Sequence, residues 1–302
     1  MDYGVLILLA TAFAGLLWAV DALVARPVRQ RRAAETGQMP PPPKWAEHAA
    51  AWFPVLLIVL LLRSFVAEPF RIPSGSMMPT LNVGDFILVN KYAYGLRLPG
   101  LDTKIMPIGH PQRGDVVVFR FPGFPCPAAN ATFVRSSDLT CQHPERGVLR
   151  ENWVKRVIGV PGDRITMVGD TLTINGQAVL TEATGPYTGN PALPDDRLLL
   201  DHAGMTYREH LPRPGADTVS HDLLRMTGYI TPPDVPNAQV PTVIPPNCYL
   251  MMGDDRYNSI DSRWWGCVPE QNLVGRAMVT WFSFPGPSAG WVDWKRMFHA
   301  IH

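Results

Sequence analysis

The chain has 302 residues and a formal net charge of +1, so no broad basic surface is implied and nucleic acid is not expected as a partner. That length holds one large domain or two modest ones besides any membrane segments. The four cysteines, Cys126, Cys141, Cys248 and Cys267, lack the short paired spacing of a zinc ribbon, so neither a metal nor a cofactor is expected.

Residues 1–25 read as a first transmembrane helix. The apolar run from Tyr3 to about Val24 is interrupted by Thr11 and Asp21 and is long enough to cross a bilayer core. A cleaved signal peptide would begin with positive charge, whereas this chain begins Met1-Asp2-Tyr3 and carries its arginines afterwards. Residues 26–48 hold Arg26, Arg29, Arg31, Arg32 and the run Pro40-Pro41-Pro42-Pro43, and they read as an irregular polar loop. Residues 49–67 form a second apolar run with Arg63 near its far end, where a long side chain can snorkel. Neither run has a polar face, which disfavours a buried soluble hairpin. The positive-inside rule places the arginine-rich loop in the cytoplasm and everything after residue 67 across the membrane.

The remainder is expected to be mainly β. Asp85–Asn90, Asp115–Phe119, Trp153–Ile158, Tyr249–Met252 and Ala277–Phe282 are short β-branched or aromatic runs bounded by Gly, Pro, Asn or Asp. Asn175-Gly176, set between Thr/Leu/Ile and Ala/Val/Leu, is a strong hairpin signal. The chain has 31 prolines, and those scattered through the region after residue 120 suit such a loop-rich protein. Residues 68–180 and 245–284 are thus expected to form a β core. Residues 181–244 are expected as an inserted β-subdomain and 285–302 as a C-terminal tail.

Three stretches carry candidate chemistry. Between Pro69 and Leu81, two prolines and a glycine forbid helix around Ser74-Gly75-Ser76, and such a rigid turn can seat a nucleophile beside backbone N–H donors. In the run 152–163, strand alternation puts Trp153, Lys155 and Val157 on one face, which would desolvate the lysine and lower its pKa. An ordinary surface turn and a snorkelling lysine are the plainer readings of these two. The third stretch, Gly253 to Arg263, is dense in Asp, Asn and Ser and reads either as a hydrogen-bonded loop or as a source of orienting groups. Its acids also raise a carboxylate-based hydrolase as a rival. The eight histidines fall outside all three, so a serine nucleophile here needs another base, and Lys155 is the best available.

Together these stretches resemble the motif boxes of bacterial type I signal peptidases (leader peptidases), membrane-bound serine proteases with a Ser-Lys dyad. The matching segments are Ile72–Leu81, Gly84–Val89, Arg113–Phe119, Lys155-Arg156 through Pro161-Gly162-Asp163, and Gly253–Arg263. The resemblance implies that Ser76 is the nucleophile and Lys155 the general base. It implies an oxyanion hole of the Ser74 hydroxyl and the Ser76 N–H, with Ser259 orienting Lys155. Asp261 with Arg263, and Arg156 with Asp254, would be supporting ion pairs. The pockets for the first and third residues before the cut map to Phe70, Ile72, Met77, Leu81, Ile87, Val118, Trp153 and Val154. These are apolar, and an extended substrate presenting alternate side chains to two such pockets would be read as Ala-X-Ala.

The implied partners are signal peptides of exported preproteins, the lipid bilayer and, by proximity, the secretion translocon. The implied location is the bacterial inner membrane, crossed twice, with the catalytic domain on the extracytoplasmic side. The chain departs from the family pattern at Asp255, where Asn is usual, and at Tyr257, where Asp is usual. An Asp255 carboxylate facing Lys155 would oppose base catalysis, so it is expected to point away. In an oxidising compartment Cys126 and Cys141 are expected to pair, leaving Cys248 and Cys267 free. A self-cleaving repressor-type protease shares the dyad, but the membrane hairpin and the lack of a basic DNA-binding helix argue against it. A membrane-anchored scaffold with an inert serine is the non-enzymatic alternative.

Overall fold

The computed structural model describes residues 3–63, 67–97, 104–123, 151–187, 204–213, 215, 218–226, 232–237, 240–286 and 291–302. It divides into two compact units, one of residues 1–68 with 95–108 and one of residues 69–94 with 109–302.

In the first unit, helix α1 (Tyr3–Val20) runs through a π-helical turn (Asp21–Ala25) into α2 (Arg26–Thr36). The segment read as an irregular loop from residue 26 is therefore helical to Thr36, and the irregular part shrinks to residues 37–43. The backbone stays helical through the π-turn that precedes Pro27, and Asp21 accepts two hydrogen bonds from Arg29 at 2.7 and 3.1 Å, tying the π-turn to α2. Gly37, left-handed at φ 73°, then ends the helix.

Helix α3 (Lys44–Leu61) starts earlier and stops earlier than the apolar run suggested, and Ala67 already lies in a strand. Helices α1 and α3 pack through small residues. Ala14, Ala46 and Ala49 are buried, Gly15 faces the Phe53 ring, and Phe53 stacks on Trp18 at 5.4 Å. The outer faces stay apolar and exposed at Phe13, Leu16, Leu23, Trp52 and Ile58. Both helical segments, Val5–Thr36 and Lys44–Leu61, are long and apolar enough to cross a membrane. The unit also holds an antiparallel pair of short strands, Leu96–Arg97 with Lys104–Met106.

The second unit is β. Its strands, numbered with the antiparallel pair of the first unit in chain order, are β1 (Ala67–Arg71), β2 (Asp85–Asn90), β3 (Leu96–Arg97), β4 (Lys104–Met106), β5 (Val116–Arg120), β6 (Asn152–Gly159), β7 (Ile165–Val168), β8 (Thr171–Ile174), β9 (Gln177–Ala178), β10 (Leu180–Pro186), β11 (Gly204–Leu211), β12 (Val219–Met226), β13 (Cys248–Met252), β14 (Val268–Pro269), β15 (Leu273–Ser283) and β16 (His299–Ala300). The main sheet runs β1-β2-β15-β5-β6-β13-β14, and β16 pairs with β15. The tail expected after residue 284 thus joins the main sheet, with Ile301 buried in the core and Arg296 paired to the buried Asp85 at 2.6 Å.

Each strand expected from the sequence forms. The hairpin turn sits at Asn175-Gly176, with φ of 53° and 82°, the left-handed pair that this dipeptide supplies at low cost. Within residues 181–244, β10, β11 and β12 make a three-stranded antiparallel sheet inside the same compact unit.

One expectation is corrected outright. Cys248 and Cys267 are joined in a disulfide, with Cα atoms 5.6 Å apart. β13 pairs with β14 in the register Cys248↔Pro269, which brings the two ends of the intervening loop together. Cys126 and Cys141 lie outside the described residues.

Candidate active site

The turn Pro73–Met77 leaves β1 as a single 3-10 turn over Gly75–Met77 and presents Ser76 to a cleft of about 500 Å³. Phe70, Ile72, Pro73, Ser74 and Met77 line one side of the cleft and Asn152, Trp153, Val154 and Lys155 another. Tyr257, Asn258, Ser259 and Ile260, from the loop after β13, complete it.

Lys155 Nζ lies 2.5 Å from Ser76 Oγ. The register explains the lysine's burial. Lys155 is opposite Val117 on β5, its neighbours are central strands, and only 3% of it is exposed. Its Nζ also sits 5.7 Å from the centre of the Trp153 ring. Burial pushes the Lys155 pKa down to about 8, against the opposing pull of Asp261 and Asp254. Near neutral pH a minority but useful fraction is therefore the free amine, which can accept the Ser76 proton.

Behind Ser76 and Lys155 stand two buried ion pairs. Arg156, next to Lys155 on the strand and facing the other way, donates from Nε and Nη2 to Asp254 at 2.8 and 2.7 Å. Arg263 donates from Nε and Nη2 to Asp261 at 2.8 and 2.6 Å. Asp261 also accepts from the Ser259 hydroxyl at 2.8 Å and from the Gly253 N–H at 3.0 Å. Since the Ser259 proton is committed to Asp261, Ser259 can serve Lys155 only as an acceptor. Gly253 is required by proximity, because a Cβ there would collide with Ser259 Oγ and with the Ser76 carbonyl.

The eight apolar residues expected as pockets divide. Phe70, Ile72, Met77, Trp153 and Val154 line the cleft, while Leu81, Ile87 and Val118 are fully buried behind it. All but Trp153 belong to one core cluster, and Trp153 instead stacks on Phe121 at 4.2 Å on the other face of the strand.

Asp255, expected to point away from the lysine, lies near enough for its charge to act on Lys155, though more weakly than Asp261 or Asp254. Its carboxyl is fully buried, interacts electrostatically with Lys155, and has Oδ2 without a hydrogen-bond partner. Burial pushes its pKa up to about 7, so around neutrality the group is partly protonated and its pull on Lys155 is blunted. Tyr257, the other departure, donates to Asp170 at 2.8 Å. Sequence reasoning missed Glu209 and His221, which β11 and β12 bring beneath the loop. His221 Nε2 is 3.3 Å from Glu209 Oε2 and 3.8 Å from Asp254 Oδ1.

The family model described as signal peptidase, peptidase S26, matches residues 45–282. The chain belongs to this family of peptidases. The signal peptidase I of Pseudomonas aeruginosa is 39% identical over 312 residues, which cover 95% of this chain and 94% of that protein. The signal peptidase I of Haemophilus influenzae is 32% identical over 333 residues, covering 99% and 92%. A crystal structure of a signal peptidase I from Enterococcus faecalis is 21% identical, covering 56% of this chain and 97% of that one at a TM-score of 0.27, too loose a superposition to bear on the fold. The S26 match takes in all three chemistry-bearing stretches of this peptidase.

Proposed function

We propose that this peptidase removes N-terminal signal peptides from exported preproteins after small residues of the Ala-X-Ala type, with Ser76 as nucleophile and neutral Lys155 as general base. The observation that carries this reading is the 2.5 Å approach of Lys155 Nζ to Ser76 Oγ in a cleft that buries the lysine. The neutral amine takes the Ser76 proton as Oγ attacks the scissile carbonyl. The oxyanion of the tetrahedral intermediate accepts hydrogen bonds from the Ser76 N–H and the Ser74 hydroxyl. The Lys155 ammonium then returns its proton to the leaving amine, which frees the mature protein and leaves the signal peptide as an ester on Ser76. Neutral again, Lys155 deprotonates the water that hydrolyses this ester.

Ser259 orients Lys155, and the Asp261–Arg263 and Arg156–Asp254 pairs hold the loop that carries it. Phe70, Ile72, Met77, Trp153 and Val154 form the shallow apolar walls that accept alanine-sized side chains. Leu81, Ile87 and Val118 set the depth of those pockets from behind. α1 and α3 span the bacterial inner membrane twice, with the residue 26–43 segment in the cytoplasm and the β unit on the extracytoplasmic side. There it meets preproteins close to the secretion translocon. Replacing Ser76 and Lys155 separately by Ala and assaying preprotein cleavage in detergent or vesicles tests this. Loss of turnover in both variants, with folding intact, is the expected result. Full activity in either would leave the serine inert or the base elsewhere.

A further inference from the structure

A second fully buried charged cluster lies where β11 meets the loop after β13. Glu209, on β11, is fully buried and grips Arg256 with both oxygens, accepting from Nη1 at 2.8 Å and Nη2 at 2.5 Å. Arg256 is itself buried, and its Nε donates back to the Gly253 carbonyl at 3.2 Å. Its own carbonyl accepts from Arg263 Nη2 at 2.8 Å, the same guanidinium that holds Asp261. A continuous chain of hydrogen bonds therefore runs from Glu209 through Arg256 and Arg263 to Asp261, and from Asp261 to Ser259 and Gly253.

The neighbouring strand reinforces it. Leu224 on β12 donates its N–H to the Asp254 carbonyl at 2.8 Å and accepts from the Arg256 N–H at 2.9 Å, bracketing Asp255. Met78, two residues after the nucleophile, packs with Leu224 and Met226 of the same strand. The other titratable group against Glu209 is His221, whose imidazole is held well below its usual pKa by burial and by Arg156 and Arg256. It stays neutral and does not compete with Arg256 as a counter-charge.

We propose that Glu209 is a positioning residue for the Ser76–Lys155 pair, acting through Arg256 on the backbone of the 253–263 loop, so that the β10–β11–β12 sheet belongs to the catalytic apparatus. This rests on the dyad reading above. The physical need is clear from the loop's contacts. Gly253 is wedged between Ser259 and the Ser76 carbonyl, and the Asp255 N–H donates to that same carbonyl at 3.2 Å. A small shift of the loop therefore moves the nucleophile relative to its base, and misplacement on the order of 1 Å costs about a hundredfold in rate.

The test replaces both partners, Glu209→Met with Arg256→Met, because exchanging a whole buried pair for apolar side chains of similar volume commonly preserves folding. The expected result in a purified full-length preparation is a native-like thermal transition, unchanged KM for preprotein, and kcat lower by about tenfold to a hundredfold. The acid limb of the kcat–pH profile should also move to higher pH as the loosened loop lets water reach Lys155. Glu209→Gln, which keeps the volume and one acceptor, should restore part of kcat, and it supplies the same readouts if the double variant does not fold. A folded variant with wild-type kcat and wild-type pH profile overturns the proposal. Ser76→Ala measured alongside separates the two failures. If Ser76→Ala still cuts, the dyad reading is wrong. If it is inert while the double variant is unimpaired, only the role of Glu209 is lost.

Discussion

The carbonyl of Ser76 accepts a hydrogen bond from the backbone N–H of Asp255 at 3.2 Å. The turn that carries the proposed nucleophile and the loop that steadies the proposed base are thus one hydrogen-bonded assembly, though 179 positions apart in sequence.

Gly253 tests that assembly. Gly253→Ala introduces a methyl group where Ser259 Oγ and the Ser76 carbonyl already meet. Overpacking of this kind should cost about 1–3 kcal/mol of stability. Denaturant unfolding checks that cost, and preprotein cleavage should fall more than the unfolded fraction explains, because the shift is at the proposed nucleophile itself.

The Cys248–Cys267 disulfide closes the base of the same loop, with a sequence separation of 19. For a loop of that size its removal should cost about 3 kcal/mol. Urea unfolding of Cys248→Ser against wild type, with and without reductant, reads this directly. Reductant should lower the wild-type midpoint by more than it lowers the variant's, the difference reporting the Cys248–Cys267 bond.

Asp255 ties stability and activity to pH in a defined direction. Its pKa is raised from 3.8 in the unfolded chain to about 7 in the fold, mainly by burial. The folded state therefore binds this proton more tightly. Stability from this group is fully present below the ordinary carboxylate range and is lost as pH rises through about 7. Asp255→Asn should accordingly raise the melting temperature at pH 8 and have little effect at pH 3. Because the Asp255 charge raises the Lys155 pKa, the same variant should move the acid limb of the rate profile to lower pH.

The core strands were legible because their buried positions are β-branched or aromatic. Val116, Val117, Val118 and Phe119 on β5 and Ile87 and Val89 on β2 are all fully or nearly fully buried. The β10–β11–β12 sheet is not legible as strands because buried polar residues break its alternation. Glu209 and His221 occupy inward positions that alternation would assign to apolar residues. The helix from Arg26 to Thr36 was hidden by its arginines, which suggest a loop by charge, although Arg, Gln and Ala are good helix formers. The stretches carrying Ser76 and Lys155 are readable singly, but the 2.5 Å contact of the two side chains depends on β1 and β6 flanking one cleft, which no local pattern encodes.

The proposed topology rests on the arginines of α2. In intact cells an impermeant thiol reagent should label Gln177→Cys but not Glu35→Cys, both of which are exposed positions, against a wild-type background control. Labelling confined to residue 35 would reverse the orientation.

The central claim is that turnover needs a lysine able to shed its proton at position 155. Burial holds that pKa at about 8, so the wild-type rate should rise with pH through that value. Lys155→Arg retains a charge that cannot be shed in the working range. The decisive measurement is single-turnover cleavage of a preprotein by Lys155→Arg, with circular dichroism verifying the fold. The account predicts a folded protein with no detectable cleavage, and cleavage at a near wild-type rate would contradict it.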